Sequence, residues 1–219
     1  MERLNVPLQL AKEMIRSGKG SEMRLFCAIK IVHRDGQVRI RDLNKERIME
    51  LSGFKRSHFF SLLNSLRRDD WIGCDGTWYF IRSFKRLNKY SRTHVQLTAQ
   101  DLPHFRQAIF SSWIQRRIRR GKALQQSEER HFLSGSEHVV PCSVIAVEFG
   151  ISPASASRLK QQSVKLGYLV YRHRYKRLNV PNKYWLHFDP ERVITTSVGL
   201  FERLSDFFMA DYFYFKTVR

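Results

Sequence analysis

At 219 residues the chain is long enough for one large domain or two small ones, and a hydrophobic content of 42% supports a packed core and excludes wholesale disorder. Lysine and arginine number 39 against 20 aspartates and glutamates, a formal charge of +19 that points to a polyanionic partner. Without a long apolar run or an amphipathic basic anchor, a membrane partner is excluded and nucleic acid remains.

The N-terminus MERLNVPLQLAKEM is interrupted by charge, so no signal peptide is expected and the predicted location is cytoplasmic, at the nucleoid if bacterial. Cys27, Cys74 and Cys142 are odd in number and far apart, which gives no disulfide framework and no CxxC zinc signature; three buried thiols are expected. Charge is unevenly placed. Residues 76–100, 102–127 and 149–188 contain no acid, and half of all the acids lie before residue 76. A solvated surface intersperses the signs, whereas one-sign blocks meet phosphates.

In chain order, the first predicted element is a helix over 22–33, capped by Ser21 and burying Leu25, Ile29 and Val32. Asn44 caps a helix over 45–52, which Gly53 stops in a tight turn. A third helix over about 57–68 turns Phe59, Leu62, Leu63 and Leu66 inward. Segments 71–74 and 78–81 flank Asp75-Gly76, a hairpin signal, and a strand around 93–97 extends that sheet. Thr98, with Asp101 three residues on, marks the start of the next unit.

The second half repeats the plan. A helix over 102–121 buries Phe105, Ile109, Trp113 and Ile118, and the polar stretch 127–137 is a loop or helix end. Pro141 opens a helix through Phe149, Gly150 turns the chain, and Ser152-Pro153 starts a helix that runs to Leu166 and ends at Gly167. Segments 168–171 and 184–188 read as strands of a longer basic hairpin.

Two of these stretches align at a constant offset of 97 residues: ERIMELSGFKRSHFFSLLNSLRRDDWIG from position 46 and SVIAVEFGISPASASRLKQQSVKLGYLV from position 143. Ile48 falls on Ile145, Gly53 on Gly150, Phe54 on Ile151, Leu62 on Leu159, Trp71 on Tyr168 and Ile72 on Leu169. Identity is low, but the shared glycine, apolar and aromatic positions read as an internal repeat of a whole domain.

Helix, glycine turn, helix, then hairpin is a pattern that resembles the winged helix-turn-helix superfamily, and the chain presents it twice, over about 21–97 and 102–188. The resemblance implies an α+β, mainly α fold. Its parts are two tandem winged helix-turn-helix domains, 1–97 and 98–188, and a C-terminal helix with an aromatic tail over 189–219. It implies a double-stranded DNA partner, because the second helix of such a turn stands out as a ridge that fits the major groove. The tandem architecture also resembles plasmid and phage replication initiators; a transcription regulator or a segregation protein is equally compatible.

The residues expected to touch DNA follow. On the first recognition helix they are Lys55, Arg56, Ser57, His58, Ser61 and Asn64, with Arg67 and Arg68 beyond. On the second they are Ser152, Ser155, Ser157, Arg158, Gln161, Gln162 and Lys165. Arginine bonds guanine bidentately, asparagine and glutamine bond adenine, and serine serves base or phosphate. The wings contribute Arg82, Lys85, Arg86 and Lys89 in the first copy, and Arg172, Arg174, Lys176 and Arg177 in the second, as phosphate grips. Arg116, Arg117, Arg119 and Arg120 form a third patch, a phosphate clamp or a solvated face. The second copy, with its acid-free helix and longer wing, is expected to carry the base-specific contacts; Asp69, Asp70 and Asp75 make the first the weaker binder or a partner surface.

No GxxxxGK(S/T), HExxH or GxSxG motif is present, and the eight histidines show no ligand spacing, so neither an enzyme nor a metal, cofactor or small-molecule site is expected. Tyr79, Tyr90, Tyr168, Tyr171 and Tyr175 read as packing rather than as strand-transfer nucleophiles. Leu200, Phe201, Leu204, Phe207 and Phe208 with the aromatic end at 212–215 are a candidate homodimer contact, or pack on their own core. RNA or single-strand binding is the alternative class; it favours aromatics exposed on a sheet.

Overall fold

The computed structural model describes residues 3–87, 93–127, 142–170, 175–178, 193–196, 199–203 and 216–217, with side chains over 3–87, 93–117 and 142–169. The protein is α+β and mainly helical, with small antiparallel sheets. No described helix is long and apolar enough to cross a membrane.

The chain opens with strand β1 (Arg3–Pro7) and helix α1 (Leu8–Arg16), which turns Leu8, Leu10, Ala11, Met14 and Ile15 inward. Helix α2 (Gly20–Val32) is central: Met23, Leu25, Phe26, Cys27, Ala28, Ile29 and Ile31 are all buried. It starts two residues earlier than predicted, with Lys19 at its N-cap and Ser21 inside the helix. Strand β2 (Gln37–Arg39) and a 3-10 turn (Ile40–Asp42) lead to helix α3 (Lys45–Ser52). Asn44 caps it by accepting the Arg47 N–H at 3.1 Å, and Gly53, at φ +67°, takes the left-handed position that ends it. Helix α4 (Arg56–Arg68) buries Phe59, Leu62, Leu63 and Leu66, as its spacing predicts. Each such side chain contributes about 1.5–3 kcal/mol through burial.

Strands β3 (Ile72–Cys74) and β4 (Trp78–Ile81) form the predicted hairpin; the Asp75 carboxylate accepts the Thr77 and Trp78 N–H groups at 2.9 and 2.7 Å. Those bonds hold its carboxyl below the usual range. β2 adds to the far side of β4, giving the order β2-β4-β3. Basic residues after this hairpin enter a short helix α5 (Phe84–Leu87) rather than a loop.

Strand β5 (His94–Thr98) does not extend that sheet. It pairs with β1, with Val6 opposite Val95 and Leu4 opposite Leu97. β5 alternates, burying Val95 and Leu97, and β1 buries Val6 and Pro7, so the pair turns one face to the core. The Thr98–Asp101 capping box is present on a 3-10 turn (Ala99–Asp101), followed by helix α6 (Phe105–Ser127), longer than predicted and taking in the first residue of the expected loop.

Helices α7 (Cys142–Phe149) and α8 (Pro153–Lys165) reproduce α3 and α4 at the offset of 97 residues, with identical lengths of 8 and 13. Gly53 and Gly150 share the turn conformation, φ +67° and +62°, and Asp70 at φ +56° occupies the place of Gly167 at +75°. Even the turn bonds repeat: Phe54 N–H to Met49 C=O is matched by Ile151 to Ala146, and Trp71 to Leu66 by Tyr168 to Ser163.

After α8 the first predicted strand, within 168–171, is present as two residues. Strand β6 (Leu169–Val170) pairs with β10 (Lys216–Thr217); the predicted strand at 184–188 lies outside the described residues. Strands β7 (Tyr175–Leu178), β8 (Val193–Thr196) and β9 (Gly199–Arg203) form a separate sheet in the order β7-β9-β8. The predicted C-terminal helical segment is therefore replaced by strands where it is described. The run Val193-Ile194-Thr195-Thr196 explains this, since β-branched residues lose side-chain freedom in a helix and pack well on a pleated sheet.

One hydrophobic core runs from Val6 to Leu169, and α1 packs on α2, α6 and α7. Phe26 meets Trp71 edge-on at 5.0 Å, and Phe149 meets Trp113 at 5.4 Å and Phe110 at 5.8 Å. Cys27 and Cys142 are buried, and desolvation raises the Cys27 thiol far above its ordinary value; Cys74, predicted buried, is exposed at the end of β3.

Candidate nucleic-acid interface

Helix α4 stands on its apolar face and presents most of its polar side chains to solvent. Arg56, Ser57, His58, Ser61, Asn64, Arg67 and Arg68 are all exposed, as is Lys55 at the N-cap. No acid occurs on the helix. Its N-terminus is held by a stack: the Arg24 guanidinium lies 3.9 Å from the Phe54 ring centroid, and His58 stacks on Phe54 at 5.0 Å. Two residues that sequence reasoning omitted belong to this face. Phe60 is 37% exposed, and the Arg56 and Lys45 cations lie 6.0 and 5.9 Å from its ring centre. The helical wheel carries the signal, because Phe60 sits 100° away from the buried Phe59.

The three acids expected to weaken this copy are each engaged. Asp69 pairs with Lys19, Asp70 with Arg82 at 2.8 Å, and Asp75 closes the hairpin. The Arg82 hydrogen bond holds the Asp70 carboxyl below its ordinary value. Arg82 is accordingly a positioned residue, 24% exposed, rather than a free phosphate grip. An open cleft of about 630 Å³ runs between α4 and the hairpin, lined by Asn64, Arg67, Arg68, Phe80 and Arg82 together with Asp70 and Asp75. Lys85 and Arg86 are exposed on α5, and Lys89 lies outside the described residues.

Helix α8 is built differently on the same backbone. Ser152 caps it by accepting the Ser155 N–H at 3.1 Å, and the Ser152 hydroxyl donates to Ser155 Oγ at 3.0 Å. Ser155 and Ser157 are half-buried rather than exposed. Arg158, Gln161 and Lys165 are exposed, while Gln162 accepts a bond from the Gln107 amide of α6 at 2.9 Å. Its inward positions are Ala156, Leu159, Lys160 and Ser163, where α4 has Phe59, Leu62, Leu63 and Leu66. In the second wing, Arg172 and Arg174 lie outside the described residues, and Lys176 and Arg177 fall on β7. Of the third patch, Arg117 lies 5.5 Å over the Trp113 ring and Arg116 is half-buried.

The turn of the second pair is seated on α1. A Cβ on Gly150 would approach Arg16 Cγ to 2.7 Å and the Arg16 carbonyl to 3.3 Å, and Lys12 pairs with Glu148 beside it. Tyr168 adds a bond to Asp101 at 2.8 Å. Among the described residues no cluster of histidine, cysteine or carboxylates has the arrangement of a metal site. No protein-family model, curated protein or solved structure matches this chain.

Proposed function

We propose that this protein is a sequence-specific double-stranded DNA-binding protein built from two tandem winged helix-turn-helix units. In the first unit α2, β2, α3, α4 and the β3–β4 hairpin follow the order helix, strand, helix, turn, helix, wing; in the second α6, α7 and α8 repeat its helical part. The observation that carries the reading is the solvent face of α4: an acid-free helix with Arg56, His58, Asn64, Arg67 and Arg68 exposed beside an open cleft. A protruding helix of this kind fits the width of the major groove, where its N-terminal half reaches base edges. Against single-strand or RNA binding, the described aromatics are mostly buried in the core.

Between the two units we assign the leading role to α4. More of its polar side chains are free, whereas α8 uses Ser152, Ser155 and Gln162 in bonds of its own. Two reading units in one chain suit an initiator or a regulator that acts at repeated or paired sites.

Selection from random duplex tests this directly. Enriched fragments and an affinity that falls at least tenfold between 50 and 200 mM salt are expected, since each phosphate contact releases counterion. Recovered direct repeats favour an initiator and a palindrome favours a regulator. Equal binding to single strands, or no enrichment, overturns the proposal.

A further inference from the structure

Phe60 carries a further assignment, which rests on the duplex-binding reading. It is the fifth residue of α4, in the half that enters a groove, and lies on the stripe Phe60, Asn64, Arg67 that leads into the cleft beside the hairpin. A large ring left 37% exposed there is surrounded by charge and polarity: Arg56 and Lys45 flank it, and Ser57, Ser61 and Asn64 are its exposed neighbours on the helix. A protein partner would be expected to bury it within a wider apolar patch; α4 supplies no second exposed apolar residue, and the equally exposed Phe80 sits on β4 among the arginines and aspartates of the cleft.

In the major groove only one base of ordinary DNA displays an apolar group, the C5-methyl of thymine. The cations beside the ring are suited to the phosphates or guanines on either side, and the ring to the methyl. We propose that Phe60 is a specificity-determining residue that reads a thymine methyl, so the preferred site contains thymine opposite the N-terminal half of α4.

A double comparison tests this. Duplexes recovered by the full chain from a random pool are re-amplified with either thymidine or deoxyuridine triphosphate, which differ only in that methyl. Their affinities for the wild type and for Phe60→Ala are then measured at one salt concentration. Burial of one methyl corresponds to about a fourfold change in affinity. The wild type is expected to discriminate against the uracil duplex about fourfold more strongly than Phe60→Ala for each thymine that Phe60 contacts. Because both proteins meet the same DNA, any effect of uracil on duplex shape cancels.

Wild type binding both duplexes equally overturns the assignment of Phe60 and leaves duplex binding intact. Discrimination that survives undiminished in Phe60→Ala also overturns it, since the methyl is then read elsewhere. Failure of the wild type to recover any duplex overturns both readings. Phe60→Leu, which keeps an apolar surface, is expected to retain part of the discrimination and so separates contact from folding; full loss there with full retention of thermal stability counts against an apolar contact.

Discussion

Helix pairs α3–α4 and α7–α8 share lengths, turn conformation and even individual backbone bonds, yet they are held in place by different forces. The first rests on its own apolar underside, Phe59, Leu62, Leu63 and Leu66, and leaves its outer face free. The second has Lys160 and Ser163 at two of those inward positions and depends on its neighbours: Gly150 seated on Arg16, Lys12 on Glu148, and Gln162 tied to Gln107. The backbone repeat therefore did not duplicate the surface. What packs against each copy decides which side chains remain available to a partner.

The comparison is broken or sharpened most severely at the inward positions. Leu66→Ser leaves a cavity and buries a hydroxyl, and is expected to cost about 3–5 kcal/mol in denaturant melts. Its counterpart Ser163 already has a buried hydroxyl without a hydrogen-bond partner among the described residues, so Ser163→Ala is expected within about 1 kcal/mol of the wild type, on the stabilising side. Equal costs at the two positions would show that the undersides are equivalent after all.

The turns come next. Gly53→Ala meets open space and carries only the left-handed backbone cost, about 1–2 kcal/mol. Gly150→Ala adds the collision with Arg16, and about 1–2 kcal/mol more is expected by thermal melting. An indistinguishable pair of melting temperatures would mean that α1 does not hold the second turn.

On DNA, Arg56→Ala with Asn64→Ala is expected to weaken binding to a selected site by about ten- to a hundredfold, against less than about tenfold for Arg158→Ala with Gln161→Ala. The reverse order, measured by fluorescence anisotropy, would return the leading role to α8.

The smallest effect concerns pH. The Asn44 N–H that starts α3 donates to His33 Nε2 at 3.4 Å, and burial lowers the His33 pKa despite the opposing pull of Asp35. The unfolded chain then binds the proton more readily, so this contribution is full above the ordinary value of 6.5 and declines as pH falls below it. Amide exchange at Arg47 and Ile48 is expected to speed up slightly relative to global unfolding between pH 7 and 5, and His33→Gln to remove that pH dependence.

The sequence by itself determined the local elements whose causes are local. Asn44 and Gly53 bound α3, Ser152 and Gly150 mark the second turn, Asp75-Gly76 closes the hairpin, and the offset of 97 residues locates both helix pairs. Each depends on a cap, a positive φ or an apolar period that acts within a few residues. Only the tertiary structure decided the rest. β5 joined β1 because strand pairing is chosen among distant edges, and α1 bridges the halves because its partners lie on α2, α6 and α7. Strand β8 followed its β-branched run 193–196, and its pairing with β9 was chosen in the sheet. Ion pairs across 12 to 50 residues engaged the acids beside α4, and the same packing left Phe60 exposed among cations. Availability of a side chain depends on which neighbours reach it, and those neighbours are distant in the chain.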